Sequence, residues 1–266
     1  MSTDPDNSGR AFEDALSALE RLDAPEEQQA AVSLLSVWGQ TALAEDEPGR
    51  AVPCFRALAD FSSRTNGADH ERTLVWRGFL GRALTDSGSY TEAEQVLSDL
   101  LLDRERLLGP DDALTLVTRG NLARAIALGG RPDEGVLLAQ RLLDDRLRLL
   151  GPEHPSTLDS QGHLAHFHLL AGRAELAASL YAEQLAARLR TLEPDDPVLD
   201  QTRHNLALAL DRAAPEDADA EYLGRLVRQL TDLVGNDHDR TLRWTALLAM
   251  RLCTEGRYAE DRKSHV

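Results

Sequence analysis

Three histidines lie close together in the sequence, at His163, His166 and His168. Imidazole nitrogens bind zinc, so this cluster raises the question of a metal site. On an α-helix, which turns about 100° per residue, His163 and His166 share a face but His168 points to another side. His204 lies on a later helix and could approach His163, which leaves a two- or three-histidine site open as an alternative. We interpret these histidines as binding-surface or packing residues and expect no bound metal.

No set of residues in this sequence forms a recognisable catalytic motif. A nucleophile, a base and an orienting group do not occur together, and there is no phosphate-binding loop, metalloprotease helix or dinucleotide fingerprint. Cys54 and Cys253 lie near opposite ends of the chain, a spacing that forms neither a disulfide framework nor a metal motif. We therefore predict that the protein is not an enzyme and uses no cofactor.

The charge balance of the chain is acidic. Among 266 residues, 45 are Asp or Glu and 29 are Lys or Arg, which gives a formal net charge of −16 at pH 7. A field of this sign repels nucleic acid, so a nucleic-acid partner is disfavoured. The N-terminus has no apolar h-region, and no stretch approaches the roughly 18 apolar residues of a membrane span. The sequence predicts a cytoplasmic protein that does not bind membranes.

Glycine and threonine recur at a fixed spacing of 42 residues. The glycines form two series, Gly67, Gly109, Gly151 and Gly235, and Gly88, Gly130, Gly172 and Gly256. A third series, in which each residue is followed by Leu, is Thr73, Thr115, Thr157 and Thr241. Self-similarity at one period is the signature of a stacked repeat array. Such arrays present extended surfaces that bind other molecules.

Each repeat has the pattern of two helices. In the unit at 109–150, Pro110 opens the first helix and Gly130 ends it. Pro132 starts the second helix, whose apolar residues keep a helical stripe until Gly151. One stripe cannot be buried within a single helix pair, so several stacked units are needed for stability.

The repeat pattern sets the predicted organisation of the chain. We expect a disordered segment at 1–9 and a single repeat array at 10–266, which begins with a capping helix at 10–22. The predicted repeats span about 25–66, 67–108, 109–150, 151–192 and 193–234, followed by a partial repeat at 235–266. The other helices are expected near 26–44, 49–65, 70–87, 90–107, 154–171, 174–191, 196–213, 216–233 and 238–255. The partial repeat lacks a full partner helix, so either the tail after Gly256 folds as a short cap or this face docks onto another chain, which would make the protein a homo-oligomer.

The repeat at 193–234 departs from the glycine pattern at both turns. Glu193 and Ala214 stand where glycines are expected, and Pro215 follows. Sequence drift is one explanation. A locally altered twist that widens the binding surface is the other.

Two segments resemble a known family. The first is Asn121-Leu122-Ala123 followed by Gly130-Arg131, and the second is the linker from Gly151 to Leu158. They resemble the 42-residue tetratricopeptide repeats of the kinesin light chain type, which are common in bacterial proteins, and the resemblance covers about residues 66–256. A period near 42 also admits HEAT or armadillo repeats. The small residue after the leucine, as in Ala123, and the glycine before the second helix favour the tetratricopeptide family. The resemblance implies an all-α fold, a right-handed superhelical α-solenoid of stacked antiparallel helix pairs.

In tetratricopeptide arrays the first helix of each repeat lines a concave groove, and the resemblance assigns candidate binding residues to that face. The position before the repeated leucine is Phe79, Asn121, His163 and Asn205. Three residues on, the same face carries Arg82, Arg124 and His166, and His204 precedes Asn205. Asparagine is common at the first position in this family, where its amide can donate to and accept from the backbone of an extended peptide.

These residues motivate the main hypothesis about the ligand. Arginine and histidine on one face of an otherwise acidic protein suggest that the groove binds an acidic peptide or partner protein, with Arg82 and Arg124 contacting carboxylates. The alternative is that these arginines only pair with neighbouring acids such as Asp86.

Other recurring side chains are interpreted as structural. Trp76 and Trp244 occupy equivalent positions and Trp38 aligns with a buried leucine, so we expect all three in the core rather than in an aromatic cage. Two further series are Arg104, Arg146 and Arg188, and Arg64, Arg106, Arg148 and Arg190. We expect both to form ridges on the outer surface that pair with acids such as Asp103, Glu105 and Asp145. A second binding face is the alternative.

The leading interpretation of function is a protein-interaction scaffold that binds a peptide or partner protein in its groove. One alternative is a small-molecule sensor or sequestering protein. Another is a regulatory subunit that acts with a separate effector.

Overall fold

The computed structural model describes residues 5–21, 25–215 and 217–264, and the side chains of 10–21, 25–215 and 217–254. Over these ranges the chain forms twelve α-helices and no strand. The helices are α1 (Pro5–Glu20), α2 (Pro25–Ala44), α3 (Pro48–Asn66), α4 (Glu71–Asp86), α5 (Tyr90–Leu108), α6 (Ala113–Leu128), α7 (Pro132–Leu150), α8 (Pro155–Leu170), α9 (Ala174–Thr191), α10 (Pro197–Ala213), α11 (Ala220–Val234) and α12 (Asp239–Ser264). The predicted all-α class is confirmed.

Two compact units make up the chain, residues 1–145 and residues 146–266, and the division falls within α7. In the first unit each helix from α1 to α6 packs on the next one, and α4 also contacts α6. In the second unit the same sequential packing joins α8 to α12. Short connections make successive helices antiparallel, so each unit is built from stacked helix pairs.

The periodic glycines mark the turns between helices. Seven of them have a positive φ of 74° to 98°: Gly67, Gly88, Gly109, Gly130, Gly151, Gly172 and Gly235. Glycine enters this left-handed region without the steric cost that a Cβ brings, and for that reason it ends helices so often. Gly256 is the exception, since it lies inside α12 and no turn forms there. The predicted break at Gly256 is therefore wrong, because the residues that follow it are mostly good helix formers and continue the helix.

The N-terminal helix begins earlier than the sequence pattern indicates. Helix α1 starts at Pro5, inside the segment 1–9 that the sequence predicts to be disordered, and ends at Glu20. Proline suits the first turn of a helix because a backbone N–H at that position has no partner within the helix, so proline loses no hydrogen bond there. Residues 1–4 lie outside the described residues, as does Leu22 at the end of the predicted capping helix.

The repeat without periodic glycines has an altered connection. Residues 214–219 separate α10 from α11, whereas residues 171–173 suffice between α8 and α9. Ala214 has φ −69° and ψ 125°, an extended backbone that is imposed on a residue preceding proline. Without a left-handed glycine the chain cannot reverse at once, so α11 begins at Ala220 rather than at the expected position 216.

The first helices of five repeats are capped at a fixed position. The capping side chains, each of which accepts a hydrogen bond from the backbone N–H two residues later, are His70, Asp112, His154, Asp196 and His238. Asp112 accepts from the N–H of Leu114 at 2.8 Å, and His154 accepts through Nδ1 from Ser156 at 3.1 Å. These caps satisfy backbone donors that the start of a helix leaves unpaired.

One arginine series is buried or partly buried, contrary to the prediction that it lies on the outer surface. Arg104 is only 4% exposed, and it donates to the Thr118 hydroxyl at 2.6 Å and to the carbonyls of Leu114 and Leu74. Burial lowers the pKa of its guanidinium. The prediction failed because an arginine can be buried where hydroxyl and carbonyl oxygens surround its donors.

The same contact recurs along the chain. Arg146 donates to the Ser160 hydroxyl and Arg188 to the Thr202 hydroxyl, each at 2.6 Å. We call these three pairs the arginine–hydroxyl contacts. One repeat further on, the equivalent residues are Leu230 and Trp244, which pack in one apolar cluster instead.

The other arginine series is exposed, as predicted. Arg106 pairs with Asp69 and Asp103, and Arg190 pairs with Glu153. The expected acid Asp145 instead pairs with Arg119, at 2.6 Å. Such exposed pairs contribute little to stability.

The tryptophans belong to the core, as predicted. Trp38 stacks on Phe12, with ring centroids 6.1 Å apart, and Trp76 stacks on Phe55 at 6.3 Å. Trp244 is 4% exposed, and its indole N–H donates to the Asp211 carboxylate at 2.5 Å. A buried indole usually needs such a partner.

Candidate functional site

The candidate residues of the first unit lie on two neighbouring helices. Phe79 and Arg82 belong to α4, and Asn121 and Arg124 belong to α6, which contacts α4. The four side chains differ in how far they are exposed. The two arginines form a charged cluster, whereas Phe79 is drawn into the core.

Asp86 joins the two arginines. The Arg124 guanidinium lies 2.6 Å from one carboxylate oxygen of Asp86, and the Arg82 Nε lies 3.5 Å from the other. The side chain of Arg82 is 52% exposed and that of Arg124 is 35% exposed. Both arginines thus pair with Asp86, as the sequence alternative expects, and whether they also bind a ligand stays a prediction. Two cations share one anion, so this cluster carries a surplus positive charge.

Phe79 and Asn121 have different surroundings. The Phe79 ring stacks on Phe55 at 5.0 Å between centroids and lies 6.1 Å from Trp76. Phe79 is thus a partly buried member of the apolar cluster of the first unit. Asn121 is half-buried on α6. Among the described residues its amide makes no hydrogen bond, so it can donate to and accept from a ligand.

The candidate residues of the second unit border a cavity of about 300 Å³ between α8, α9 and α10. His163 and His166 of α8 and Asn205 of α10 line it. Both histidines contact the buried ring of Phe167, with centroid distances of 6.4 Å and 6.2 Å. The structure thus brings three of the four candidate residues of this unit together. We call this space the polar cavity.

Four further polar residues line the polar cavity, namely Asp159, Tyr181, Gln184 and Arg188. The sequence analysis missed them as ligand-facing residues. The signal that could have found them is the 42-residue period itself, because two repeats earlier the corresponding residues are Val75, Leu97, Leu100 and Arg104. Three of the four positions therefore change from apolar to polar, and only the arginine is kept.

The interior of the polar cavity holds two buried polar side chains. Tyr181 and Gln184 are each 2% exposed. Burial raises the pKa of the Tyr181 phenol to about 12, so at neutral pH the hydroxyl keeps its proton and acts as a donor. Gln184 donates through Nε2 to the carbonyl oxygen of Leu158 at 2.6 Å.

His204 lies apart from the polar cavity lining. Its ring meets that of His238 edge-on, with centroids 5.9 Å apart. Partial burial, followed by the nearby charges of Arg240 and His238, lowers the pKa of His204. His168 accepts a hydrogen bond from Arg173 Nε at 2.9 Å. Within the described part of the chain, no group of three or more His, Cys, Asp or Glu residues is arranged to hold a metal ion.

Within the described ranges, no helix is both long enough and apolar enough to cross a bilayer.

Comparison with known proteins points to one family. The tetratricopeptide repeat family matches the chain twice, at residues 73–113 and 115–156. No curated protein is significantly similar to the chain in sequence. Tetratricopeptide repeats generally mediate protein–protein interactions and serve as scaffolds rather than as enzymes.

Solved structures share the fold. A kinesin-light-chain-like protein of Podosopora anserina with nearly identical TPR-like repeats is 22% identical, with a TM-score of 0.61 over 82% of this chain and 100% of that chain. A point variant of the same protein is 23% identical, with a TM-score of 0.59 over 80% and 98% of the two chains. BtubC from P. vanneervenii is 17% identical, with a TM-score of 0.61 over 91% and 92%. Together with the two matched repeats, these likenesses show a tetratricopeptide-like fold that is similar to the repeat arrays of kinesin-light-chain-like proteins.

Proposed function

We propose that the protein is an interaction module in which the surface formed by α4 and α6 binds an acidic segment of a partner protein. The observation that carries this proposal is the meeting of Arg82 and Arg124 on the single carboxylate of Asp86. A guanidinium donates up to five hydrogen bonds, so the two arginines retain donors for a second carboxylate.

Asp86 also indicates how a ligand would be recognised. Its carboxylate already binds between the arginines, in the place that an Asp or Glu side chain of a partner would compete for. Arg82 is half-exposed and holds Asp86 at 3.5 Å, longer than a charge-assisted hydrogen bond. Arg82 is therefore the arginine that an incoming carboxylate engages first, while the half-buried Asn121 nearby on α6 supports the backbone of the partner.

The acidic-segment proposal is tested by replacing both arginines. A partner is captured from an extract of the source cells on the wild-type protein, purified and then titrated by calorimetry. We expect the double variant Arg82→Ala and Arg124→Ala to lose affinity, by about 1.5–3 kcal/mol for each charged hydrogen bond. The matched control replaces Arg106 and Arg190, which are exposed and paired at other sites. Unchanged affinity in the Arg82/Arg124 variant would refute the proposal.

A second variant tests the competition by Asp86. Asp86→Asn keeps the shape of the side chain but removes its charge. We expect it to strengthen binding of the acidic partner, because both arginines then lack their internal carboxylate. A decrease in affinity would mean that Asp86 orders the arginines for the ligand rather than competing with it.

The polar cavity of the second unit favours another candidate function, the sensing or sequestering of a small molecule. A space of about 300 Å³ lined by polar side chains suits a small polar ligand. Native mass spectrometry of freshly purified protein tests this, since a retained ligand adds a defined mass. The role of a regulatory subunit beside a separate effector, the bacterial origin and the cytoplasmic location stay predictions.

Self-association through the last repeat is a further part of the proposal. Leu242 of α12 is 51% exposed, whereas the equivalent Leu74, Leu116 and Leu158 are at most 5% exposed. Met250 on the same helix is 67% exposed. If a second copy covers this face, the double variant Leu242→Glu and Met250→Glu should be monomeric in sedimentation experiments. Leu102→Glu, at another exposed leucine, is the control.

A further inference from the structure

We propose that the polar cavity binds an uncharged carboxamide group, such as the side chain of asparagine or glutamine or a small-molecule amide. The argument rests on three polar groups that line the cavity and have no hydrogen-bond partner among the described residues. They are the Tyr181 hydroxyl, the Asn205 side-chain nitrogen Nδ2 and the Gln184 side-chain oxygen Oε1.

The two amides are held in defined orientations. Gln201 donates to Asn205 Oδ1 at 3.0 Å, which leaves Asn205 Nδ2 as a free donor. Gln184 Nε2 is occupied by the Leu158 carbonyl at 2.6 Å, which leaves Gln184 Oε1 as a free acceptor. A Cβ on Gly162 would come within 2.6 Å of that Nε2 atom, so the glycine at this position makes room for the Gln184 amide.

A carboxamide matches this set of groups. Its oxygen has two lone pairs and can accept from both Tyr181 and Asn205, while its NH₂ group donates to Gln184 Oε1. A carboxylate would satisfy the two donors but would bring a negative charge against the Gln184 Oε1 acceptor and leave that acceptor without a donor. An ammonium group would meet the two donors and leave them unsatisfied. The neutral amide is the ligand that pairs all three groups.

Arg188 does not turn the polar cavity into an anion site. Its guanidinium donates to Thr202 and to Asp159, both at 2.6 Å. The contact with Thr202 is one of the arginine–hydroxyl contacts of the repeat. The contact with Asp159 neutralises the charge of Arg188. The Arg188–Asp159 pair is therefore close to neutral and offers no surplus positive charge to an anion.

The fold does not require these polar side chains. At the equivalent positions of the first unit, Leu97 and Leu100 are fully buried and replace Tyr181 and Gln184. The frame of the repeat therefore accepts apolar side chains at both positions. The presence of a phenol and an amide in a frame that accepts leucine is the reason to assign Tyr181 and Gln184 to a ligand.

The inference is independent of the acidic-segment proposal, because it concerns other residues in the other unit. It is tested by NMR titration of the full chain with three blocked amino acids that differ only in the side chain: N-acetyl-glutamine, N-acetyl-glutamate and N-acetyl-leucine N-methylamides. Propionamide serves as a fourth probe, which carries the carboxamide without a peptide backbone. We expect the glutamine probe to shift the side-chain amide signals of Gln184 and Asn205 saturably, and about tenfold more tightly than the glutamate and leucine probes. Propionamide as tight as the glutamine probe would indicate a small-molecule amide, and a weaker propionamide would indicate a peptide side chain.

Two variants complete the test. Tyr181→Leu with Gln184→Leu introduces the residues of the first unit, and this variant should stay folded, by circular dichroism and thermal unfolding, while losing the response to both carboxamide probes. Tyr181→Phe removes a single donor and should weaken binding about fivefold. Equal binding of the glutamine, glutamate and leucine probes, or an unchanged response in the Leu–Leu variant, would overturn the proposal.

Discussion

Helices α4–α6 in the first unit and α8–α10 in the second are aligned on the 42-residue period, yet they present different chemistry. Both contain an arginine–hydroxyl contact, Arg104 to Thr118 and Arg188 to Thr202. Around that shared contact, the first unit has Phe79 stacked on Phe55, whereas the second has His163 lining a polar cavity.

The comparison separates the residues that build the repeat from those that diversify it. The periodic glycines, the helix caps and the arginine–hydroxyl contacts recur in most repeats because these repeats use the same turns and the same helix packing. The positions facing the space between first helices vary freely between apolar and polar residues. In both binding proposals, specificity is set by a few exchanged side chains on a constant frame.

The shared contact gives the largest expected effect on stability. We expect Arg104→Ala to lower the free energy of unfolding by about 2–4 kcal/mol, since it removes three hydrogen bonds and leaves a cavity. The neighbouring Arg106→Ala should have a much smaller effect, because exposed ion pairs contribute little to stability. Urea unfolding followed by circular dichroism measures both values. Equal costs for the two variants would mean that the buried contact is not a framework element.

The second prediction uses one glycine position that differs between the units. At Gly162 an added Cβ would lie 2.6 Å from Gln184 Nε2, but at the equivalent Gly78 the nearest atom would be 3.5 Å away. We expect Gly162→Ala to destabilise the protein by about 1–2 kcal/mol through overpacking. Gly78→Ala should be neutral, or stabilising by up to about 1 kcal/mol because alanine favours helix. Thermal unfolding of the two variants gives the sign of each effect, and the same sign at both positions would contradict the proposed difference between the units.

The third prediction concerns a helix cap that belongs to the constant frame. Asp112 accepts a hydrogen bond from the N–H of Leu114 at the start of α6. Asp112→Ala should cost about 1 kcal/mol, and Asp112→Asn, which can still cap, should cost less. Hydrogen exchange of the first turn of α6 locates the loss. Protection that stays unchanged in the alanine variant would show that the cap is dispensable.

The smallest expected effect is the pH response of His204. Its folded-state pKa lies below 6.5, mainly because of partial burial. As pH falls below 6.5 the unfolded chain takes up this proton first, so the contribution of His204 to stability is present above 6.5 and is lost as pH decreases through the folded pKa. NMR titration of the imidazole measures the pKa, and His204→Gln should reduce the pH dependence of unfolding. A titration midpoint above 6.5 would reverse the prediction.

Much of the fold could be predicted because its signals are local. Seven periodic glycines end helices as expected, since a left-handed backbone is favoured only for glycine within a turn of a few residues. Gly256 has the same spacing but remains helical, because the residues around it favour continuing the helix. The longer connection after α10 also has a local cause, the extended conformation that Pro215 imposes on Ala214.

The candidate site was only partly predictable, because its geometry depends on contacts between distant residues. The pairing of Arg82 with Asp86 follows from their spacing within one helix, but the contact of Asp86 with Arg124 exists only because α6 packs on α4. Tyr181 and Gln184 lie on a second helix, outside the face that the family resemblance singled out, and therefore escaped the prediction.

The sequence by itself determined the repeat period, the helix pairs and nearly all of the turns. Backbone preferences and helix capping act between residues that are close in the sequence, so the sequence alone is enough to predict them. Only the tertiary structure decided that Arg104 is buried, that Phe79 joins the core and that Asn205 shares a cavity with His163. The physical reason is that burial and hydrogen-bond partners are supplied by helices tens of residues away, which the order of residues along the chain does not display.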